Sequence, residues 1–211
     1  MLQSNSKIMK RLFSSVLILS FYISMLAQPL DMELLKGMKA RSIGPGGMSG
    51  RVTAIDVEQR NNAVFYIGTA SGGLWKTDNG GVNFTPLFDK EEVASIGALA
   101  IDPSNEDVIW AGTGEGNPRN SLNGGYGIYK SLDGGRNWTL MGLENTRHIH
   151  RIIVHPSNSE VVYVGAIGSP WGPHPERGVY KTIDGGRSWE QILFTNELSG
   201  VGDMVMDPEN P

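Results

Sequence analysis

The sequence predicts an all-β protein, a β-propeller built from four-stranded antiparallel blades. Two observations lead to this fold class: a short motif recurs at intervals of about 50 residues, and the 211-residue chain has 28 glycines and no cysteine. Such a composition suits many tight turns between short strands, and four strands per repeat make one propeller blade. Propellers close with about four to eight blades. The sequence holds three repeats and the opening of a fourth, so we expect an N-terminal fragment of a larger propeller.

Residues 1–27 have the pattern of a signal peptide. Three basic residues precede an apolar run over 12–26, and the small residue Ala27 follows it. This run is shorter than the roughly 20 residues that span a bilayer. We therefore expect export followed by cleavage, a secreted, periplasmic or cell-surface location, and no stable membrane insertion. Residues 28–40 are interpreted as a lead-in segment before the first blade.

The repeats divide residues 41–211 into blades at approximately 51–90, 96–144 and 149–195, with a fourth opening at 201–211. Each blade contains four short segments rich in β-branched and aromatic residues, separated by turn residues. In chain order, these predicted strands are 51–56, 64–69, 73–76 and 84–88, then 97–102, 108–113, 127–130 and 138–141, then 149–155, 161–166, 178–181 and 189–194, and finally 201–207.

The recurring motif places a hydroxyl, an Asp or Asn, a glycine and an aromatic residue at the turn between the third and fourth strands. The side-chain oxygen of the Asp or Asn can accept hydrogen bonds from backbone N–H groups further along the turn. The aromatic residue would pack between neighbouring sheets. A calcium loop would need a bidentate glutamate that the motif lacks, so we interpret the motif as a structural turn. Its residues are Thr77, Asn79, Gly81 and Phe84, then Ser131, Asp133, Gly135 and Trp138, then Thr182, Asp184, Gly186 and Trp189.

Turns alternate sides along an antiparallel blade, so the motifs share one face and the connections from second to third strands share the opposite face. Two of these connections are enlarged, at 114–125 and 168–176, and binding residues concentrate on such loops. An exposed indole would suit a carbohydrate, because the ring can stack on a sugar. Alternatively, Trp171 packs its loop onto the next blade. The candidate ligand-binding residues are Glu115, Arg119, Asn120, Trp171, His174, Glu176 and Arg177 from the enlarged connections or next to them, and Arg51, His148, His150, Arg151 and Asp203 near the starts of innermost strands.

Two histidines raise the question of a metal. Alternation along a strand would put His148 and His150 on the same side, as a pair of metal ligands requires. The chain offers no third ligand at a matching spacing, so we expect no metal and no cofactor. The formal net charge of −4 argues against a nucleic-acid surface. The expected partner is a polysaccharide or a protein or peptide ligand.

The three motifs resemble the Asp-box (BNR) repeats of sialidases, xyloglucanase-like glycosyl hydrolases and sortilin-type propellers. The strings at 41–45 and 112–120 also resemble exported bacterial propellers described as sortilin N-terminal-like or glycosyl hydrolase-like. In the xyloglucanase-like enzymes, a catalytic Asp follows a Tyr-x-x-Thr strand and precedes Gly-Gly. The run at 66–73 matches that pattern, but Ala70 stands at the position of the acid.

The resemblance implies an exported Asp-box propeller that binds a glycan or protein on the face opposite the boxes, without catalysis in this segment. One alternative is a glycoside hydrolase whose catalytic carboxylates lie partly outside this chain, with Glu115 as a substitute for the missing acid. A second alternative is a sortilin-like peptide binder. The sequence leaves open whether the chain is an enzyme, because glycoside hydrolysis uses two carboxylates and the matching motif lacks one.

Overall fold

The computed structural model describes residues 50–117, 119–207 and 209–211, together with Gly37. The predicted signal peptide at 1–27, the string at 41–45 and, apart from Gly37, the lead-in segment at 28–40 lie outside the described residues. The strands of the described part form three four-stranded antiparallel sheets. The predicted fold class, an all-β propeller with four-stranded antiparallel blades, is confirmed. Within this part of the chain, no helix has the length and apolar character that crossing a bilayer requires.

The twelve strands of the described residues follow chain order within each sheet. The first sheet contains β1 (Val52–Val57), β2 (Phe65–Thr69), β3 (Leu74–Thr77) and β4 (Thr85–Pro86). The second contains β5 (Ile96–Asp102), β6 (Asn105–Thr113), β7 (Ile128–Ser131) and β8 (Thr139–Leu140). The third contains β9 (Ile149–Val154), β10 (Val162–Ala166), β11 (Gly178–Thr182) and β12 (Glu190–Leu193). A short 3-10 turn, Glu144–Thr146, lies between the second and third sheets.

Two features differ from the predicted strands. The fourth strand of each sheet is shorter than expected, and β4 has only two residues, one of which is Pro86 without an N–H for the ladder. The segment 201–207 is not a strand. Val201 donates its N–H to the carbonyl of Ala166 at 3.3 Å, but no strand among the described residues pairs with this segment. A local β pattern is insufficient there, because a strand needs a hydrogen-bonded ladder.

The core lies between neighbouring sheets. One cluster of buried side chains joins the first and second sheets and another joins the second and third. A glycine in the second strand of a sheet lets the first strand of the next sheet approach closely. A Cβ on Gly68 would lie 2.5 Å from Cγ2 of Ile96, and a Cβ on Gly112 would lie 2.4 Å from Cγ2 of Ile149. Any side chain at these two positions would therefore push the sheets apart.

The turns with the recurring motif, called boxes below, close by the same hydrogen bonds in all three sheets. In the second box the Ser131 hydroxyl donates to Oδ1 of Asp133 at 2.9 Å and accepts the N–H of Gly135 at 2.8 Å. Oδ1 of Asp133 also accepts the N–H of Asn137 at 2.9 Å. The first and third boxes repeat this arrangement around Thr77 and Thr182. The side chain at the start of the box therefore organises its whole turn.

The two ends of the sheets carry different connections. The boxes contact the turns between first and second strands, since Gly80 and Gly185 donate their N–H groups to the carbonyls of Ala63 and Glu160. The connections between second and third strands contact the starts of first strands instead, as in the 2.7 Å bond from the N–H of Gly125 to the carbonyl of Arg147. We call the end with these second-to-third connections the insertion face.

Candidate functional site

A groove runs along the innermost strands β1, β5 and β9. It has a volume of about 290 Å³, and neighbouring innermost strands contact each other. Its lining is Thr53, Ala54, Ile55, Gly97, Ala98, Leu99, His150, Arg151 and Ile152. The insertion-face end of the groove lies near the starts of β1 and β9. The predicted ligand-binding residues at these starts are Arg51, His148, His150 and Arg151.

Arg51 and Glu115 form an ion pair between the first and second sheets. Nε of Arg51 lies 3.2 Å from Oε1 of Glu115, and Nη2 also bonds that oxygen. The Arg51 side chain is 44% exposed whereas that of Glu115 is fully buried. The backbone N–H of Glu115 contacts the Ser95 hydroxyl at 3.0 Å and the Asn123 carbonyl at 3.1 Å. Among the described residues, Oε2 of Glu115 has no hydrogen-bond partner.

Ala70 adjoins this ion pair. Its N–H donates to the carbonyl of Arg51 at 2.9 Å, and its carbonyl accepts from Nδ2 of Asn123 at 3.3 Å. Ala70 is buried. The position at which the resemblance places a catalytic acid therefore carries a methyl group, and an Arg51–Glu115 pair lies next to it.

The two predicted histidines are held differently. His148 is buried, and its Nδ1 donates to the carbonyl of Glu115 at 2.7 Å, so Nε2 is the unprotonated nitrogen of the neutral ring. Burial lowers the pKa of His148, and it also lowers the pKa of His150 because a buried imidazolium is disfavoured. His150 lies in a bulge between Ile149 and Arg151 and packs against Gly116. The regular alternation expected of this pair is wrong, since His148 precedes the strand and the bulge interrupts it.

Arg151 forms a second ion pair at the start of an innermost strand. Its Nε lies 2.5 Å from Oδ1 of Asp203, and its Nη1 donates to the carbonyl of His150 at 2.9 Å. The Arg151 guanidinium lowers the pKa of Asp203. The structure thus brings Arg51, Glu115, His148, His150, Arg151 and Asp203 to one end of the groove.

The enlarged connection at 168–176 forms a separate group. The Arg177 side chain is buried and donates to the carbonyls of Ile167, Ser169 and Gly172 at 2.5, 2.5 and 3.1 Å. These bonds place the guanidinium inside the loop, so we assign Arg177 to loop closure rather than to ligand contact. Trp171 is 68% exposed. The described residues therefore leave most of the indole accessible, and packing of Trp171 onto the next blade stays a prediction.

The remaining candidates have distinct surroundings. Oε2 of Glu176 accepts the Tyr180 hydroxyl at 2.9 Å, and burial together with this carboxylate raises the pKa of Tyr180. The backbone N–H of His174 donates to the carbonyl of Glu197 at 2.9 Å. Arg119 and Asn120 are exposed on the other enlarged connection. Within residues 50–117, 119–207 and 209–211, no group of three His, Asp or Glu side chains is arranged to hold a metal ion.

Sequence reasoning missed Arg147. This exposed residue precedes His148 on the connection between the second and third sheets, and its backbone has φ 62° and ψ −43°. Only its position between the two enlarged connections could have drawn attention to it, because no local sequence pattern predicts a positive φ at an arginine. Ser95 and Asn123, which fix the backbone of Glu115, were also missed.

No protein-family model matches the chain. The chain is 25% identical over 185 residues to a xyloglucanase of Hypocrea jecorina, a match that covers 81% of this chain and 20% of the relative. The crystal structure of an ancestral GH74 enzyme superimposes with a TM-score of 0.54 at 25% identity, over 72% of this chain and 20% of that one. The structure of YCF48 bound to D1 peptide superimposes with a TM-score of 0.53 at 13% identity, over 77% and 47% of the two chains.

These matches show that the chain is similar to xyloglucanase-like β-propellers. The likeness to YCF48 concerns the fold alone, because the identity is only 13%. The chain spans a fifth or less of the length of the curated relatives it matches, 20% and 15%.

Proposed function

We propose that this chain belongs to an exported β-propeller that binds a polysaccharide across the insertion face, and that the described residues bind without cleaving. The observation that carries the proposal is the state of Glu115, which is fully buried and paired with Arg51 next to Ala70. Hydrolysis of a glycosidic bond uses two carboxylates that flank the bond. At this end of the groove, the matching position has a methyl group, and the adjacent acid is already bound by a guanidinium.

Two further observations support a polysaccharide as the ligand. Trp171 offers an indole that is 68% exposed, on the loop that Arg177 holds closed. Aromatic faces of this kind stack on sugar rings, while arginine and carboxylate groups bind the hydroxyls. The relatives at 25% identity include a protein described as a xyloglucanase. We extend the proposal to a location outside the cytoplasm, from the pattern of residues 1–27.

A glycoside hydrolase is the second candidate, and one observation favours it. Oε2 of Glu115 is buried and has no hydrogen-bond partner among the described residues, and Arg51 and Asn123 tie this acid to the backbone of Ala70. In this alternative, Glu115 supplies one carboxylate and the second comes from outside the described residues. Such an enzyme would release reducing ends from the polysaccharide.

The test measures binding and cleavage on the full chain. Xyloglucan oligosaccharides are titrated by calorimetry, and reducing ends are assayed after incubation with xyloglucan. We expect saturable binding without release of reducing ends. The substitution Trp171→Ala should weaken binding about tenfold because the stacking face is lost, whereas Trp171→Phe should retain most of it. Ile183→Ala is the matched control, since Ile183 is 70% exposed in a box of the same sheet.

Three results would overturn the proposal. Release of reducing ends that Glu115→Gln abolishes, in a variant that remains folded, would establish the hydrolase alternative. Saturable binding of peptides in the absence of any polysaccharide binding would favour the peptide-binding alternative. Equal loss of affinity in the Trp171→Ala and Ile183→Ala variants would remove the insertion face as the binding surface.

A further inference from the structure

Arg147 occupies a strained turn between the second and third sheets. The carbonyl of Thr146 accepts the N–H of His148 at 2.6 Å, which closes a three-residue γ-turn with Arg147 at its centre. The φ of 62° and ψ of −43° at Arg147 correspond to the rare γ-turn with positive φ. This conformation is costly for any residue that has a Cβ atom, and such strain concentrates at functional sites.

The backbone hydrogen bonds of this turn do not explain why position 147 is an arginine and not a glycine. The carbonyl of Arg147 accepts the N–H of Gly125 at 2.7 Å, and this bond anchors the enlarged connection of the second sheet. The same bond and the same turn would form with glycine, which adopts positive φ without a steric cost. A side chain kept at a position where glycine would be more stable points to a use for that side chain.

The charge of Arg147 is available to a ligand. Its side chain is exposed, and no acidic residue in the described part of the chain forms a salt bridge with it. Among the other arginines of the insertion face, Arg51 and Arg151 are paired with carboxylates and Arg177 is bound by three carbonyls, whereas Arg119 is exposed on the enlarged connection at 114–125.

The acids around Arg147 are engaged elsewhere. Glu115 binds Arg51, Asp203 binds Arg151, and Glu176 accepts the Tyr180 hydroxyl. Glu144 lies on the same connection, at the start of the 3-10 turn, and forms no salt bridge with Arg147. Arg147 therefore keeps an exposed positive charge that no salt bridge with these acids neutralises, in a chain whose net charge is −4.

Arg147 also lies close to the candidate site. Burial is the main reason for the lowered pKa of His148, and the charges of Arg147 and His174 lower it further. The carbonyl of Arg147 accepts the N–H of Gly125, and the carbonyl of His148 accepts the N–H of Ile167 at 2.9 Å, so one end of each enlarged connection is anchored at this turn. A ligand that spans this region would meet a planar, permanently charged donor group at Arg147.

We propose that Arg147 binds a carboxylate group of the ligand, and hence that the polysaccharide contains acidic sugars such as uronic acids. This inference rests on the proposed function and adds the substrate class. A guanidinium binds a carboxylate through two parallel N–H···O bonds. That geometry requires an arginine and gives a reason for keeping a Cβ-bearing residue in the strained turn.

The experiment compares an acidic and a neutral probe on the full chain. Oligogalacturonate and xyloglucan oligosaccharides are titrated by calorimetry at low and high salt. We expect Arg147→Gly to raise the thermal unfolding midpoint, because the Cβ strain is removed, yet to weaken oligogalacturonate binding at least tenfold. Arg147→Lys should lose part of the affinity because it keeps the charge but not the bidentate geometry. Xyloglucan affinity should stay within twofold, and Arg136→Gln in the second box is the matched control.

Five outcomes would contradict the inference. Oligogalacturonate affinity that is unchanged by Arg147→Gly, or that Arg136→Gln lowers as much, removes the role of Arg147. Equal loss for both probes removes the acidic specificity. Wild-type binding of xyloglucan but not of oligogalacturonate overturns this inference and leaves the proposed function standing. Binding of neither probe overturns both.

Discussion

Trp189 and Met141 join the second and third sheets by a hydrogen bond, in which the indole N–H donates to the carbonyl at 2.7 Å. Trp138 forms the same bond to the carbonyl of Leu87 at 3.0 Å, between the first and second sheets. Phe84 holds the equivalent position in the first box and has no N–H to donate. At each of the two contacts between neighbouring sheets, the box of the later sheet therefore supplies one indole donor to the earlier sheet.

Replacing Trp189 with a smaller aromatic residue should weaken the contact between the second and third sheets without leaving a large cavity. Trp189→Phe keeps an aromatic ring near Trp110, against which Trp189 packs edge-on at 6.1 Å, but leaves the Met141 carbonyl without its donor. We expect a loss of about 1–3 kcal/mol in the free energy of unfolding, partly from the unpaired carbonyl and partly from the smaller ring. Urea denaturation measures this loss. Phe84→Leu should not show the hydrogen-bond component, and an unchanged unfolding midpoint for Trp189→Phe would contradict the assignment.

The hydroxyl that begins each box should be a stability determinant. Oγ1 of Thr182 is buried, accepts the N–H of Gly186 at 2.9 Å and donates to Oδ1 of Asp184 at 2.7 Å. Thr182→Val keeps the shape but leaves these partners unsatisfied, at a cost of about 1–3 kcal/mol in the free energy of unfolding. The neighbouring variant Ile183→Val, on an exposed side chain, is the control. If both variants unfold at the same denaturant concentration, the hydroxyl has no structural role.

The carboxylate of the second box should make stability depend on pH. The side-chain amide of Asn137, and then its backbone N–H, lower the pKa of Asp133 to about 2 from 3.8. Because the folded-state pKa is depressed, the stabilisation is complete above about pH 4 and is lost as the pH falls toward about 2. The melting temperature of the wild type should therefore fall more steeply over this range than that of Asp133→Asn.

A reciprocal variant provides the matched control for this pH dependence. The first box has Asn79 at the equivalent position, where Oδ1 accepts the N–H of Asn83 at 2.9 Å. Asn79→Asp should make the fall in melting temperature steeper, because a third box carboxylate is then added to Asp133 and Asp184. Parallel melting curves for all three proteins between pH 2 and 4 would show that the box carboxylates do not contribute through their charge.

Removing Arg51 and removing Glu115 should lower the free energy of unfolding by different amounts. Arg51→Met leaves the Glu115 carboxylate buried without a counter-charge, whereas Glu115→Gln leaves a half-exposed guanidinium that water can solvate. We expect Glu115→Gln to cost about 1 kcal/mol in the free energy of unfolding and Arg51→Met to cost more. Chemical denaturation of both variants measures the difference. The reverse order would contradict a charged pair between Arg51 and the buried Glu115.

The fold could be predicted from the repeated motif. The arrangement of the candidate site could not, because it depends on contacts between residues in different sheets. Three motifs in register were enough to predict the four-stranded antiparallel sheets, because each motif marks one turn of one sheet. The 201–207 pattern predicted a strand wrongly, since pairing depends on a neighbour and not on the segment itself.

The insertion face illustrates what a sequence pattern cannot supply. Arg51 and Glu115 are 64 residues apart, and nothing local to either residue predicts that they pair or that the acid is buried. Arg177 was a candidate ligand contact because it adjoins the enlarged connection at 168–176, but its guanidinium is buried and donates to three carbonyls of that loop. The γ-turn at Arg147 is held by backbone hydrogen bonds from Gly125 and Ile167 of the two enlarged connections. No residue type in the sequence marks such a turn.

The glycine at the second strand of each sheet gives the chain a direction of assembly. Gly68 forms a recess that Ile96 enters, and Gly112 forms the same recess for Ile149, so each sheet is completed by residues that are synthesised after it. Contacts of this kind link nearest neighbours only, as in repeat proteins. During translation, each of the first two sheets would present this recess to the next sheet as that sheet leaves the ribosome, and the chain would fold stepwise from its amino-terminal side.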